Sequence, residues 1–173
     1  RGRRWLVAYA VGAVVLGLMP ILAAVPGAAM ILAAVRGRDG VLDALLPALL
    51  VVPIATLSWL LVLAILILLA VRGLALGLTK GFHAVRSRVG CQVWATERLL
   101  DMAPTPLYPL YASLATPTWL RMLGAQIGKE VEASTVLLLP SMTRVGDGAF
   151  LADDTLIASY ELHQGWMRIA QAR

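Results

Sequence analysis

Residues 127–158 read IGKEVEASTVLLLPSMTRVGDGAFLADDTLIA, and this stretch decides the fold. An aliphatic or small apolar residue returns at every sixth position: Ile127, Ala133, Leu139, Val145, Leu151 and Ile157. A small or turn-forming residue follows each of these positions, and a second column of mostly small or apolar residues lies two positions before them. An amphipathic helix repeats at three and four residues and a strand at two, so neither accounts for a repeat of six.

A triangular parallel β-helix accounts for this repeat because it uses one hexapeptide per face. The aliphatic side chain fills the interior, and the small residue after it lets the chain turn the corner. The pattern predicts that residues 119–173 begin such a β-helix and that further coils follow Arg173, since about two coils cannot bury a continuous core. His163 occupies an aliphatic position. Residues 160–168 are therefore expected to form a loop or a distorted rung, with Ile169 and Ala170 restoring the phase.

Two uncharged runs precede the repeat, one between Trp5 and Val35 and one between Ala44 and Val71. About 20 helical residues cross a hydrocarbon core of about 30 Å, so either run can span a bilayer. Both are too long for the apolar core of a signal peptide. The chain is 60% hydrophobic and 14% charged, which also favours a membrane protein. Residues 1–78 are predicted to form a two-helix transmembrane hairpin.

The hairpin is predicted to be an anchor rather than a transporter, because its uncharged runs hold no Asp, Glu, Lys, Arg or His to bind an ion. Helix pairing is expected along a stripe of small residues in the first helix: Ala8, Gly12, Ala13 and Gly17. Trp59 falls near mid-span, where its indole N–H is expected to face the other helix rather than lipid. Four prolines are expected to bend the helices: Pro20, Pro26, Pro47 and Pro53.

The net charge is +5, and most basic residues flank the two runs: Arg1, Arg3, Arg4, Arg72, Lys80, Arg86 and Arg88. Because Lys and Arg favour the cytoplasmic side, both termini are predicted to be cytoplasmic in the inner or plasma membrane of the cell. No basic face with interleaved aromatics is found, so a nucleic-acid partner is not expected. The chain starts at Arg1 and stops within a repeat, which suggests an internal piece of a longer protein.

Residues 79–118 are predicted to be a juxtamembrane connector. The stretch from Val93 to Met102 intersperses apolar residues with Glu97, Arg98 and Asp101, as expected of a short amphipathic helix at the membrane surface. Prolines 104, 106, 109 and 117 should then break regular helix. Tyr108 and Tyr111 are expected at the interface. His83 is expected to be solvated or at headgroup level.

Residues 118–128, TWLRMLGAQIG, followed by the hexapeptides, resemble the start of the left-handed β-helix of the hexapeptide-repeat acyltransferases. In that family substrate and acyl donor meet in a groove between neighbouring subunits, which implies a possible homo-oligomer, and a histidine commonly acts as general base. His163 is the weak catalytic candidate here, and Glu161, Asp153 and Asp154 are nearby carboxylates that could orient it. The interpretation of His163 as a solvated loop residue is favoured, and the two aspartates are favoured as water-facing corner residues.

The paired membrane helices, WLRMLGAQIG, VEASTVLLLPSMTRVGDGAFLADDTLIASYEL and GWMRI together resemble the C-terminal membrane region of poly-amino-acid nonribosomal peptide synthetases, the family of ε-poly-lysine synthetase. The resemblance implies membrane helices followed by acetyltransferase-like condensation domains, which join a free amino acid to a carrier-bound aminoacyl thioester. Phosphopantetheine and ATP are implied only for the parent chain. No cofactor-binding residue is assigned, and no metal site is expected, since Cys91 is the single cysteine.

Three functions remain open from the sequence. The favoured one is a membrane-anchored, condensation-like (acyltransferase-type) part of a nonribosomal peptide synthetase. The first alternative is a stand-alone membrane-linked hexapeptide acyltransferase that acts on a sugar or a lipid. The second is a non-catalytic β-helix scaffold that holds helices or an oligomer together.

Overall fold

The computed structural model describes residues 3–173, and these residues form two compact units. One unit comprises residues 17–66, and the other comprises residues 3–16 together with residues 67–173. Two long helices, α1 (Arg3–Val35) and α2 (Val41–Leu74), contribute residues to both. Arg1, which was predicted to flank the first span, lies outside the described residues.

Helices α1 and α2 have the length and composition needed to cross a membrane. They contain 33 and 34 residues, and the most apolar windows reach a mean hydropathy of 2.3 and 2.9. At about 1.5 Å per residue each is about 50 Å long, which exceeds a hydrocarbon core of about 30 Å. Their leucine, valine and isoleucine side chains are exposed along most of both helices. This exposure suits lipid and not water, since soluble proteins rarely expose such large apolar surfaces.

The predicted orientation of Trp59 toward the other helix is confirmed. In the unit of residues 17–66 its indole Nε1 donates a hydrogen bond of 2.9 Å to the carbonyl oxygen of Pro20. An indole donor within the hydrocarbon would be costly without such a partner. The bond therefore ties the middle of α2 to α1.

The close approach of the two helices was predicted at the wrong residues. A Cβ built on Gly27 would lie 2.9 Å from the carbonyl oxygen of Ala55, so this glycine is what lets the backbones meet. By contrast, nothing lies within 4 Å of a Cβ on Gly17, and a Cβ on Gly12 would meet the Trp94 ring at 3.0 Å. The small stripe from Ala8 to Gly17 is thus not where α1 meets α2, because small size permits contact without specifying the partner.

The turn between the helices is stabilised by an arginine. Pro47 has no N–H, so the carbonyl oxygen of Asp43 loses its usual helical donor. The Arg38 guanidinium supplies one, with Nη1 3.2 Å from that oxygen, and its Nε bonds the carbonyl oxygen of Ala34 at 3.1 Å. One side chain therefore satisfies carbonyls at the end of α1 and the start of α2.

In the other unit, strand β1 (Gly81–Ala84) leads into helix α3 (Arg88–Met102). Ser87 starts the helix as its N-cap, since its hydroxyl accepts a hydrogen bond from the Gly90 N–H. The helix predicted over 93–102 is therefore present, but its apolar face is covered by protein rather than free for lipid. Val93 packs in a buried cluster with Leu139, Met142, Met167 and Ile169.

The first turns of α1 also pack on α3. The Tyr9 hydroxyl donates a 2.9 Å hydrogen bond to the Val85 carbonyl oxygen, and its ring meets the Trp94 ring edge-on with centroids 5.1 Å apart. Gly12 leaves room for the same indole. An aromatic pair in this geometry contributes about 0.5–1.5 kcal/mol beyond its buried area.

Two short helices, α4 (Tyr108–Tyr111) and α5 (Thr116–Leu123), correct the prediction that prolines break this region. Pro109 and Pro117 lie in the first turns of these helices, where a missing N–H costs nothing. Tyr111 is buried rather than interfacial, whereas Tyr108 is exposed. Gly124 ends α5 in the left-handed conformation, with φ of 112°.

The region of the hexapeptide pattern forms six short strands that pair in parallel. They are β2 (Gln126–Ile127), β3 (Glu132–Ala133), β4 (Val136–Leu138), β5 (Arg144–Val145), β6 (Phe150–Leu151) and β7 (Thr155–Ile157). Strand β2 pairs with β5, β3 with β6, and β4 with β7. In the first two pairs the partners are separated by three hexapeptides, as in Ile127↔Val145.

The third pair departs from the predicted columns by a single position. Leu138, not Leu139, is the partner of Ile157, although both leucines are buried. A 3₁₀ turn over Pro140–Met142 takes up the extra residue before β5. Pro140 lacks the N–H that a longer strand would need at this point, which favours a turn there.

Residues 160–168 leave the repeat, but as an ordered hairpin rather than a loop. Strands β8 (Tyr160–His163) and β9 (Trp166–Ile169) are antiparallel, and β9 pairs in turn with β1. The predicted return of the phase at Ile169 is wrong, because Ile169 lies opposite Gly81 and Tyr160 in this sheet. The chain rejoins the parallel strands at Ala172, which forms a parallel bridge with Thr143.

Candidate functional site

A groove of about 480 Å³ lies between the loop joining α4 to α5 and the strand pair β3–β6. We call it the α4–α5 groove. Its lining residues are Tyr111, Ala112, Ser113, Leu114, Pro117, Val131, Glu132, Ala133, Ser134 and Phe150. Its volume is within the range of small-molecule sites, about 300–1,000 Å³.

The loop wall of the groove is held by buried polar contacts. The hydroxyl of Thr116, which is fully buried, lies 3.0–3.2 Å from the carbonyl oxygens of Leu110, Tyr111 and Ser113. The Trp119 indole donates to the Tyr111 hydroxyl at 2.9 Å. Burial raises the pKa of Tyr111, and the bond from Trp119 opposes that rise. The loop is therefore a preformed wall.

The strand wall presents a carboxylate beside an aromatic ring. Glu132 and Phe150 are direct partners in the β3–β6 pair, and both side chains are exposed. Cross-strand partners point to the same side of a sheet, so both face the groove that they line. Leu114 on the loop is 95% exposed, which leaves the opposite rim apolar. The groove can thus accept an amphiphilic chain that carries a cationic group.

Asp153 and Asp154 lie exposed in the segment between β6 and β7. The Asp153 carboxylate accepts hydrogen bonds from the hydroxyls of Ser134 and Thr135, and the Asp154 N–H donates to the Thr135 hydroxyl at 2.9 Å. The bond from Ser134 is the main cause that lowers the pKa of Asp153. These two hydroxyl bonds join residues 19 and 18 positions apart, so the Asp153 carboxylate links the segment after β3 to the segment before β7 and does not orient His163.

His163 lies at the end of β8, opposite Trp166, with an exposed side chain that lines none of the grooves described here. Glu161, two residues earlier, has its carboxylate 3.7 Å from Nη1 of Arg168. Within residues 3–173 no hydrogen bond to the His163 side chain is found. The structure therefore does not bring the four residues of the sequence hypothesis together. The other histidine, His83, has Nε2 2.9 Å from the Thr79 carbonyl oxygen.

Glu97 and Tyr160 form a polar pair that sequence reasoning missed. The Tyr160 hydroxyl lies 2.8 and 2.9 Å from the two carboxylate oxygens of Glu97, which joins α3 to β8. Burial raises the pKa of Glu97, while the bond from Tyr160 lowers it. Burial first, and then the bond to Glu97, raise the pKa of Tyr160 to about 12. The residues are 63 apart, so no local signal could have paired them.

Replacing Glu97 with glutamine is expected to flatten the dependence of stability on pH. Because the folded state raises the pKa of Glu97, it binds the proton more tightly than the unfolded chain does. The resulting stabilisation is complete below the ordinary glutamate pKa and is lost as the pH rises through the folded-state pKa. Glutamine removes this titration and keeps an oxygen that accepts from Tyr160.

Thermal unfolding in detergent, followed between mildly acidic and neutral pH, measures the effect. Tyr160→Phe is the matched variant, because it removes the bond that lowers the pKa of Glu97 and should move the loss of stability to higher pH. Parallel pH profiles for the native chain and for Glu97→Gln would contradict the assignment.

Comparison with known proteins supports a relationship over about half of the chain. Over 90 residues the chain is 34% identical to delta-poly-L-ornithine synthetase of Acinetobacter baumannii (strain AB307-0294). These residues are 51% of this chain but 7% of that synthetase, so the chain spans a small part of its relative's length. No family model matches the chain. No solved structure matches it either. The similarity supports a relationship to the poly-amino-acid synthetases.

Proposed function

We propose that this chain is a membrane-anchored, condensation-like part of a poly-amino-acid synthetase, which helps to join amino acids that arrive as carrier-bound thioesters. The observation that carries the proposal is the 34% identity over 90 residues to a poly-ornithine synthetase. Two helices that can span a membrane are consistent with a membrane-linked enzyme. The adenylation and carrier steps, with ATP and phosphopantetheine, belong in this proposal to the parent chain.

The proposal includes a left-handed parallel β-helix as the platform for the reaction. Three hexapeptides make one coil, and this is the separation of the partners Ile127↔Val145 and Ala133↔Leu151 in the β2–β5 and β3–β6 pairs. The β4–β7 pair is longer by a single position, which the 3₁₀ turn takes up. Residues 1–78 are the anchor, residues 119–173 begin the β-helix, and residues 79–118 connect them through β1, α3 and α4.

The α4–α5 groove is the proposed site for the reacting chains. In the reaction an amine nitrogen attacks the thioester carbonyl carbon, a C–N bond forms, the C–S bond breaks, and the carrier thiol leaves. The amine first loses its ammonium proton to a base. Glu132 would attract a cationic amino acid such as ornithine, and the apolar rim at Leu114 and Phe150 would hold the aliphatic part of the thioester arm. Holding both reactants in one groove supplies the main rate advantage.

His163 keeps the role of a candidate base only if its replacement lowers activity. Its exposed position, outside the lining of the groove, instead favours the interpretation as a solvated hairpin residue. We also propose an inner or plasma membrane location with cytoplasmic termini, because the carrier thioester is made from ATP in the cytoplasm. A homo-oligomer that completes the groove is compatible with this arrangement.

Filling the groove tests the proposal in the full protein. Ala112→Trp places an indole in the groove and is expected to lower polymer formation by about tenfold or more. Ala115→Trp is the matched control, since Ala115 is exposed in the same loop but outside the lining, and it should keep native activity. Membranes holding each variant, and His163→Ala, are incubated with ATP and ornithine or lysine, and products are measured by mass spectrometry.

The products decide between the functions. A polyamide that depends on Ala112 but not on Ala115 supports the proposal. Native activity of Ala112→Trp, or equal losses in both variants, would contradict a role for the groove. Transfer of an acyl group to a sugar or lipid would favour a stand-alone acyltransferase. Native polymer formation in all of the variants would favour a non-catalytic scaffold.

A further inference from the structure

The first turns of α1 carry exposed apolar side chains within the unit of residues 3–16 and 67–173. Within residues 3–16, the side chains of Leu6, Val7 and Val11 are 58%, 61% and 56% exposed. Lipid is the environment that covers such side chains in a membrane span. The same turns carry Tyr9, which contacts Val85 and Trp94. With α1 as a membrane span, the groups that pack around Tyr9 would lie near the end of that span.

The end of the β8–β9 hairpin is joined to Tyr9 through Val85. The Val85 carbonyl oxygen accepts from Tyr9, and the Val85 N–H donates to the Gly165 carbonyl oxygen, each at 2.9 Å. Val85 thus bridges α1 and the hairpin tip, which we define as residues 163–166. Trp166 follows Gly165 directly, lies opposite Ala84 in the sheet and is 56% exposed. Exposed tryptophan side chains are enriched where membrane spans meet water.

The charges around the tip favour an anionic surface. Residues 82–96, which include the segment that contacts the tip, contain Arg86 and Arg88 but no aspartate or glutamate. The side chains of Arg86 and Arg88 are exposed. On the hairpin, Glu161 is offset by Arg168, whose guanidinium also lies 5.9 Å from the centroid of the Phe82 ring. The surface near Trp166 is therefore basic and aromatic together.

We propose that the hairpin tip docks onto the anionic surface of the bilayer, with Trp166 at headgroup level and Arg86 and Arg88 binding lipid phosphates. Basic residues near an anionic bilayer surface are attracted to its phosphate groups. Helix α3, the segment expected at the surface from sequence, cannot take this role with its apolar face, because Val93 and Leu99 are buried in protein. This proposal does not depend on the proposed synthetase function.

Spin labels measure the depth of the tip in the full chain. Cys91 is the one cysteine, so Cys91→Ala gives a background for Trp166→Cys, with Phe150→Cys as a control on β6 and Leu22→Cys as a lipid control on α1. Each labelled variant is placed in nanodiscs of phosphatidylcholine, with or without phosphatidylglycerol. Power-saturation spectroscopy then compares access of oxygen, which partitions into lipid, with access of a water-soluble nickel complex.

In the anionic nanodiscs the label at position 166 is expected between the two controls, with oxygen access severalfold above that at position 150. Replacing Arg86 and Arg88 with glutamine should shift this label toward water without moving the label at position 22. Nickel access at position 166 equal to that at position 150 would overturn the proposal. Dipolar broadening between labels at position 166 would do so too, because it would show a second copy covering the tip. Equal depth with and without phosphatidylglycerol would overturn the role of the arginines.

Discussion

Gly90→Ala is expected to destabilise the unit of residues 3–16 and 67–173 by about 3 kcal/mol. An alanine inside a helix ordinarily stabilises it, by about 1 kcal/mol relative to glycine. Here a Cβ would collide with the Val85 carbonyl oxygen and would lie 3.0 Å from the Tyr9 hydroxyl. The first of these is backbone and cannot rotate away, so β1 or the start of α3 must shift. That shift would also strain the bond between Tyr9 and Val85.

Gly73→Ala is the matched control for this prediction. Gly73 also lies in a helix, but nothing lies within 4 Å of its built Cβ. Alanine there should raise stability by about 1 kcal/mol, so the two substitutions are expected to have opposite signs. Thermal unfolding of both variants in one detergent, followed by tryptophan fluorescence, makes the comparison. Equal unfolding temperatures for Gly90→Ala and the native chain would contradict the close approach.

Gln92→Glu is expected to cost about 3–5 kcal/mol at neutral pH. The Gln92 amide nitrogen donates to the carbonyl oxygens of Leu74 and Leu76 at 2.8 and 2.9 Å, which joins α3 to the end of α2. Gln92 is 6% exposed, and its Oε1 has no hydrogen-bond partner among the described residues. A carboxylate here would place a buried negative charge beside the carbonyl oxygens of Leu74 and Leu76, which are acceptors. Neither carboxylate oxygen would then receive a hydrogen bond.

The size of this effect should depend on pH, which separates it from a loss of packing. A buried carboxyl has a raised pKa, so stability of Gln92→Glu should recover as the pH falls and the group takes up a proton. Gln92→Leu should cost less, about 1–3 kcal/mol, because it removes the unpartnered oxygen together with the donor. Gln126→Glu, at an exposed position on β2, should change stability by no more than about 0.5 kcal/mol. A similar loss at both glutamines would refute the argument.

The site was less accessible to prediction than the fold. His163 was singled out because histidine is a common base, but the residue type carries no information on its surroundings, and the structure places it exposed at the end of a strand. The α4–α5 groove needs Ala112 and Phe150 to meet from opposite sides, and the Glu97–Tyr160 pair joins residues 63 apart. Such contacts depend on the path of the chain, not on local pattern.

The sequence by itself determined the two apolar helices and the parallel strand pairs. An uncharged run longer than about 20 residues has the composition of a membrane span. A repeat of six places strand partners three hexapeptides apart, as Ile127 and Val145 are. The orientation of Trp59 followed from similar physics, since an indole donor in hydrocarbon needs an acceptor.

Only the tertiary structure decided where the close contacts fall. Glycines at 12 and 27 look alike in sequence, yet one accommodates the Trp94 ring and the other meets the Ala55 backbone. The hairpin of residues 160–169 interrupts the repeat because it gains β1 as a partner from far along the chain. Local pattern reports which side chains must leave water, whereas their partners are chosen by packing and hydrogen bonding across the folded chain.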